Sequence, residues 1–367
     1  MNAKAAVFMG AEQDFEIREF PVTAAPSGYG RLELIASGVC GTDLHIHSGR
    51  LGAAAPTVIG HEFVGRLLEA DEKEAAAYGL AVGDAVIADI AVPCGECLLC
   101  KSGDDANCVR MGLTNAGSID QPPYLFGGYA EVNYTPLSNL IKIPETVDPT
   151  VAATFACPGP TAIHAVRLAR EAGVKLSRVG CAVVQGLGPV GMFAILYLRE
   201  CGVRHVYAIT AHEDPARERL AIELGADRVY TLAREGSEAI TAALQGENGG
   251  LGVDLCVECS GVPQAVGQGI EILRNRGVYL IPGQYSNSGS IELQPQTITF
   301  KALHILGSSQ YSMVDVRDYL RFLAEHPATH PLIARLGTHY PIEETNRAFA
   351  DAKKRINIKT LLVKRRG

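Results

Sequence analysis

Two short stretches carry side chains able to hold a metal: Gly38-Val39-Cys40-Gly41-Thr42-Asp43-Leu44-His45 and Gly60-His61-Glu62. They offer a thiol, imidazoles and two carboxylates about twenty residues apart. Thiolate and imidazole are the donors zinc prefers, and the glycines let the backbone turn sharply at strand ends. A catalytic zinc takes three protein ligands and leaves a fourth position for substrate. Cys40 and His61 supply two, and Cys157 is the best candidate for the third.

A second cluster is Cys94, Cys97, Cys100 and Cys108, spaced C-x2-C-x2-C-x7-C. Four thiolates this close can enclose a tetrahedral zinc with no open position, which is a structural site. The alternatives are disulfides, which a reducing compartment disfavours, and an iron–sulfur cluster, whose tight bacterial motif ends in a Cys-Pro that is missing here. A third signal is Gly186-Leu187-Gly188-Pro189-Val190-Gly191. It follows an apolar run at 179–185 and precedes a helical segment at 192–201. In that strand–turn–helix context G-x-G-x-x-G holds a dinucleotide pyrophosphate against a helix N-terminus.

The elements that must position these groups fall into two textures. Residues up to about 150 read as strands at 5–8, 15–20, 31–37, 62–68, 84–89 and 128–133, cut by Gly and Pro, with 70–80 as an exposed insertion. From about Arg178 strands and helices alternate, with strands expected at 206–210, 228–230, 255–258 and 278–281 and helices at 216–224, 238–244 and 264–273. That alternation predicts a doubly wound parallel sheet. A helix at 314–324 and a strand at 356–363 close the chain.

Composition narrows the function classes. At 367 residues the chain predicts two domains, and its 47% apolar and 20% charged residues suit a globular enzyme. A net charge of −7 without a basic run argues against nucleic acid and anionic membrane as partners; Lys364-Arg365-Arg366 reads as a solvated tail. No apolar run is long enough to span a membrane. The N-terminus reads as a strand rather than a leader, so ten cysteines imply reduced thiols and a cytoplasmic setting. His47 reads as a surface residue, and Cys181, Cys201, Cys256 and Cys259 as buried apolar ones.

With both cysteine signatures and the glycine turn in order, the chain resembles the zinc-dependent medium-chain alcohol dehydrogenases along essentially its full length. The resemblance implies a GroES-like β-rich catalytic domain over 1–157, completed by 309–367, and a Rossmann cofactor domain over 158–308. It implies two zinc ions per subunit: one catalytic on Cys40, His61 and Cys157, one structural on Cys94, Cys97, Cys100 and Cys108. Glu62 matches a carboxylate that approaches the metal as its fourth ligand exchanges, and Asp43 an acid that orients His61. Thr42 matches the hydroxyl that takes the alcohol proton, and His45 the relay that passes it to solvent. Lys359 matches a basic residue near the pyrophosphate, and Ile90 and Tyr129 match pocket-lining positions. The implied assembly is a homodimer or homotetramer and the implied partner a small alcohol or carbonyl compound.

Two departures carry information. NAD-specific members place an acid about 20 residues past the glycine turn, where this chain has Thr210, Ala211 and His212. A small polar residue with His212, Arg217 or Arg219 nearby suits the 2′-phosphate of NADP, whereas Glu213 or Asp214 folding back would serve NAD; the reading leans to NADP. Polyol dehydrogenases of the family tend to use Glu at the third metal position, where this chain has Cys157. The expected activity is therefore reversible hydride transfer between a bulky or apolar alcohol and NAD(P). A polyol or amino-alcohol dehydrogenase is the alternative within the class, and a non-catalytic zinc- and nucleotide-binding protein the alternative outside it. A zinc-free quinone reductase lacks both zinc signatures.

Overall fold

The computed structural model describes residues 1–365, so Arg366 of the basic tail lies outside the described residues. Lys364 is paired with Glu33 at 2.7 Å rather than free in solvent. By packing, the chain divides into two units: Met1–Pro160 with the chain from Gln310 onward, and Thr161–Ser309.

The first unit is built on a seven-stranded sheet. Its central strand, Tyr29–Val39, is flanked by Glu62–Glu69 on one side and by the C-terminal strand Lys359–Val363 on the other, both antiparallel to it. Tyr29–Val39 alternates buried and half-buried residues and then becomes wholly buried from Ala36, as a strand does when it runs from a sheet surface into a core. Strand Val132–Pro136 pairs with its first half, and Ala85–Ala88 and Leu140–Lys142 extend the sheet beyond Glu62–Glu69. The register sets Gly38 opposite Glu62 and Val39 opposite Thr360. Three strands far apart in sequence therefore deliver Cys40, Glu62 and Lys359 to one end of the sheet. Residues 70–80 form the short helix Glu72–Ala77, capped by Asp71, whose carboxylate accepts from the amides of Lys73 and Glu74.

The second unit is a six-stranded, wholly parallel sheet. In spatial order the strands are Arg228–Thr231, His205–Thr210, Cys181–Gln185, Val253–Glu258, Leu273–Ile281 and His304–Gly307. Numbered along this unit, that order is 3-2-1-4-5-6, the dinucleotide-binding arrangement. Cys181–Gln185 is buried throughout, as a central parallel strand covered on both faces must be. Its C-terminal end lies at the point where the strand order reverses, and there the glycine turn begins. Among the described residues, no helix is long and apolar enough to cross a membrane.

Candidate metal centres and nucleotide site

Cys40 follows the end of strand Tyr29–Val39 and precedes helix Gly41–His47. Its amide donates to Asp43 Oδ2 at 2.9 Å, which fixes the turn. Glu62 opens the neighbouring strand and His61 immediately precedes it, after Gly60, which takes a φ of +96°, open to glycine and strained for other residues. Cys157 sits in the turn between helices Pro149–Thr154 and Pro158–Glu171. The fold brings the four together: one ligand atom each from Cys40, His61, Glu62 and Cys157 lies within 4.8 Å of all the others. Cys40 Sγ is 3.9 Å from Cys157 Sγ and 3.7 Å from Thr42 Oγ1. A zinc with Zn–S bonds of about 2.3 Å separates two tetrahedral sulfurs by about 3.8 Å, so the thiol pair and the imidazole fit zinc in both spacing and donor type.

Charge is concentrated around this cluster. Asp43 is fully buried, and its Oδ1 lies 3.4 Å from His61 Nδ1, which leaves Nε2 as the ligand atom. The Cys40 thiol is held well below its ordinary value, first by the Cys157 thiol donating to it and then by His61 and Lys359 against the opposing effect of burial. Glu62 is pushed up to about 7 by burial, with Lys359 opposing. Lys359 is not placed as the sequence reading expects. It is buried beside the metal donors, with Nζ 2.5 Å from Glu62 Oε2 and donating to the Val39 carbonyl at 3.2 Å, so it is not offered to a phosphate. A Cβ on Gly38 would collide with the Glu62 carboxylate and meet Lys359 Cε at 2.8 Å, so glycine makes room for this pair.

Tyr129 also differs from its expected role. It is fully buried, its ring packs edge-on against Phe15 and Phe349, and burial, with the nearby Asp43 carboxylate adding to it, pushes its hydroxyl well above its ordinary value. It supports the cluster from the core side and is not the wall of an open pocket. Ile90 is 9% exposed. His47 is buried in the same aromatic group, with Nδ1 3.0 Å from Lys353 Nζ, and is not a surface residue. Thr42 and His45 are half-buried, and His45 is held below its ordinary value by burial and by Arg50.

The other four cysteines also converge, their sulfurs all within 4.8 Å of one another. Cys97 Sγ is 3.5 Å from Cys100 Sγ and 4.0 Å from Cys108 Sγ, again the separations of thiolates around a tetrahedral zinc. Amides of Cys94 and Arg110 donate to Cys108 Sγ, and that of Cys100 to Cys97 Sγ. Cys94 is pushed down to about 5 by the backbone at Glu96 and by the Arg110 guanidinium, which stands 3.5 Å from its sulfur. Arg110 is a contributor the cysteine spacing does not reveal.

In the second unit Gly188 caps helix Pro189–Glu200 with no side-chain bond, so its first-turn amides remain free for an anion. A Cβ on Gly191 would strike the Gly186 carbonyl, so Gly186, Leu187, Gly188, Pro189, Val190 and Gly191 make the close turn a pyrophosphate needs. Arg217 is buried at 5% exposure, donates to the Leu187 carbonyl at 3.0 Å and pairs with Asp214 at 3.0 Å. Its guanidinium braces the turn and is not available at the surface for a 2′-phosphate. The same pair occupies Asp214, leaving Thr210 buried at the strand end and His212 and Glu213 exposed beyond it.

Comparison with known proteins agrees with this architecture. Residues 28–145 match the alcohol dehydrogenase GroES-like domain, and residues 189–325 match the zinc-binding dehydrogenase domain. An erythritol/L-threitol dehydrogenase of Mycolicibacterium smegmatis is 31% identical over 297 residues, 78% of each chain. The chain belongs to the zinc-type medium-chain alcohol dehydrogenases. Other relatives in this family include a 5-exo-hydroxycamphor dehydrogenase of Pseudomonas putida, 28% identical over 98% of both chains. A solved alcohol dehydrogenase from Thermotoga maritima superposes with a TM-score of 0.89 at 26% identity over the whole of both chains. A zinc-binding dehydrogenase of Sinorhizobium meliloti 1021 bound to NADP gives 0.84 at 25% identity over 99% of each. The protein is accordingly an oxidoreductase, and its family activity is alcohol oxidation with NAD(P).

Proposed function

We propose that this dehydrogenase oxidises an alcohol with a bulky, largely apolar body, using NADP in preference to NAD and one catalytic and one structural zinc per subunit. The observation that carries the reading is the convergent set of Cys40, His61, Glu62 and Cys157 donors, within 4.8 Å of one another, in a chain that also has a dinucleotide turn. Cys40, His61 and Cys157 hold the catalytic metal, and Asp43 keeps His61 in one tautomer and orientation. Bound zinc supplies Lewis acidity to the substrate oxygen, and bound NADP supplies the hydride acceptor. Thr42 takes the hydroxyl proton, and His45, neutral at pH 7, accepts it and releases it to solvent. Cys94, Cys97, Cys100 and Cys108 hold the structural metal.

The NADP preference rests on the ribose end of the turn. Strand His205–Thr210 ends without a carboxylate, and Asp214 is already engaged by Arg217. The apolar substrate rests on Cys157 at the third metal position and on kinship, at 98% coverage, with a hydroxycamphor dehydrogenase. Kinship with an erythritol/L-threitol dehydrogenase favours a second reading, a polyol. The test is cofactor reduction by the purified protein with NAD and NADP against cyclic, primary, polyol and amino alcohols. Preferred turnover of cyclic secondary alcohols with NADP supports the first reading, and preferred turnover of tetritols supports the second. NAD preference would refute the assignment of the ribose end.

A further inference from the structure

We propose that Lys359 is a positioning residue that competes with the metal for Glu62, and thereby keeps one metal position open to substrate. The inference rests on the zinc reading of the Cys40 cluster. Glu62 offers an oxygen within the same 4.8 Å as the other three donors, so the cluster contains four protein ligands where catalysis needs three. Four protein ligands make a closed site, which cannot take a substrate oxygen. Something must therefore hold Glu62 back, and Lys359 is in place to do so. Its Nζ is 2.5 Å from Glu62 Oε2, and neither side chain has any solvent exposure.

Charge balance points the same way. Two thiolates, Cys40 and Cys157, neutralise a divalent metal, and Glu62 and Lys359 neutralise each other. Removing the ammonium alone leaves a carboxylate buried and unpaired, a costly state, and the metal becomes its nearest compensating charge. The arrangement is built into the sheet. Gly38 faces Glu62 across one strand pair, Lys359 arrives on the strand at the other side of Gly38, and a side chain at Gly38 would displace both.

The experiment replaces zinc by cobalt(II) in the full chain and titrates imidazole while the visible d–d bands are recorded. Only the Cys40 site has a position for imidazole, since the four-cysteine site is closed. Wild type is expected to bind imidazole, Lys359→Arg to bind it similarly, and Lys359→Met at least tenfold more weakly because Glu62 takes the position. The double variant Glu62→Gln/Lys359→Met is expected to regain wild-type imidazole binding although the lysine is still absent. A cobalt-loaded Lys359→Met protein that binds imidazole like wild type overturns the proposal. The double variant leaves no unpaired charge, so it keeps the test decisive if Lys359→Met does not fold. Tenfold weaker imidazole binding there also overturns the proposal, because Lys359 would then act without Glu62. Loss of cobalt thiolate absorption in neither Cys40→Ser nor Cys157→Ser would instead refute the zinc reading beneath it.

Discussion

Asp89 carries a prediction whose size follows from its surroundings. The side chain is 1% exposed, Oδ1 accepts the Ala91 amide at 3.2 Å, and Oδ2 has no hydrogen-bond partner. It lines a small cavity shared with Asp105, Tyr311 and Ser312. Burial pushes its carboxyl up to about 7, the Ala91 amide opposes this, and the nearby carboxylates Asp105 and Asp315 add to it. The ordinary value is 3.8, so the difference is about 3 units, or about 4 kcal/mol at 1.36 kcal/mol per unit. The sign follows from proton counts. Between pH 4 and 7 the folded state holds a proton that the unfolded state has released, so stability falls as pH rises and levels off above 7. Asp89→Asn removes this dependence and keeps an acceptor for the Ala91 amide. Urea unfolding of the zinc-loaded proteins should show the variant gaining on wild type by about 2 kcal/mol between pH 5.5 and 8. The comparison is between two proteins alike in every other titrating group. A pH-independent difference would refute the argument, and a gain for wild type on raising pH would reverse its sign.

Three further predictions concern the site. Tyr129→Phe removes the buried hydroxyl beside Asp43 and keeps the ring packing, so catalytic zinc should pass to a chelator about tenfold faster, with the four-cysteine zinc unaffected. His45→Ala should lower kcat by about a hundredfold and abolish the fall in rate on the acid side, where protonated His45 can no longer accept a proton. His212→Asp places a carboxylate at the exposed end of the second nucleotide strand, and the ratio of kcat/KM for NADP over NAD should fall at least tenfold.

What was legible in the sequence follows the range of the signals. The parallel sheet was readable because each strand–helix unit is local and its glycine turn has a fixed spacing. The donors Cys40, His61 and Glu62 were readable because each stands on a Gly-flanked strand end, and the four-cysteine lobe because its ligands fall within fifteen residues. The role of Lys359 is not legible in the sequence because its partner is 297 positions away and only the strand order puts them side by side. The burial of Tyr129 and His47 is hidden from the sequence for a related reason. Whether an aromatic or imidazole ring faces a pocket or the core depends on Phe15 and Phe349, which reach it from opposite ends of the chain. Charge and position make Arg217 one of the candidate phosphate ligands in the sequence, and its commitment to Asp214 and Leu187 depends on a helix–turn contact that spacing alone does not encode.

The most direct test of the account is zinc content measured alongside turnover in wild type, Cys40→Ser and Cys97→Ser. The account predicts two zinc ions per subunit and alcohol-dependent NADP reduction in wild type. Cys40→Ser should retain one zinc, with the fold intact and no turnover. Cys97→Ser should lose the lobe zinc and lower thermal stability while the Cys40 site still loads. Undiminished turnover in Cys40→Ser protein lacking its second zinc would contradict the assignment of Cys40, His61 and Cys157 as the catalytic centre.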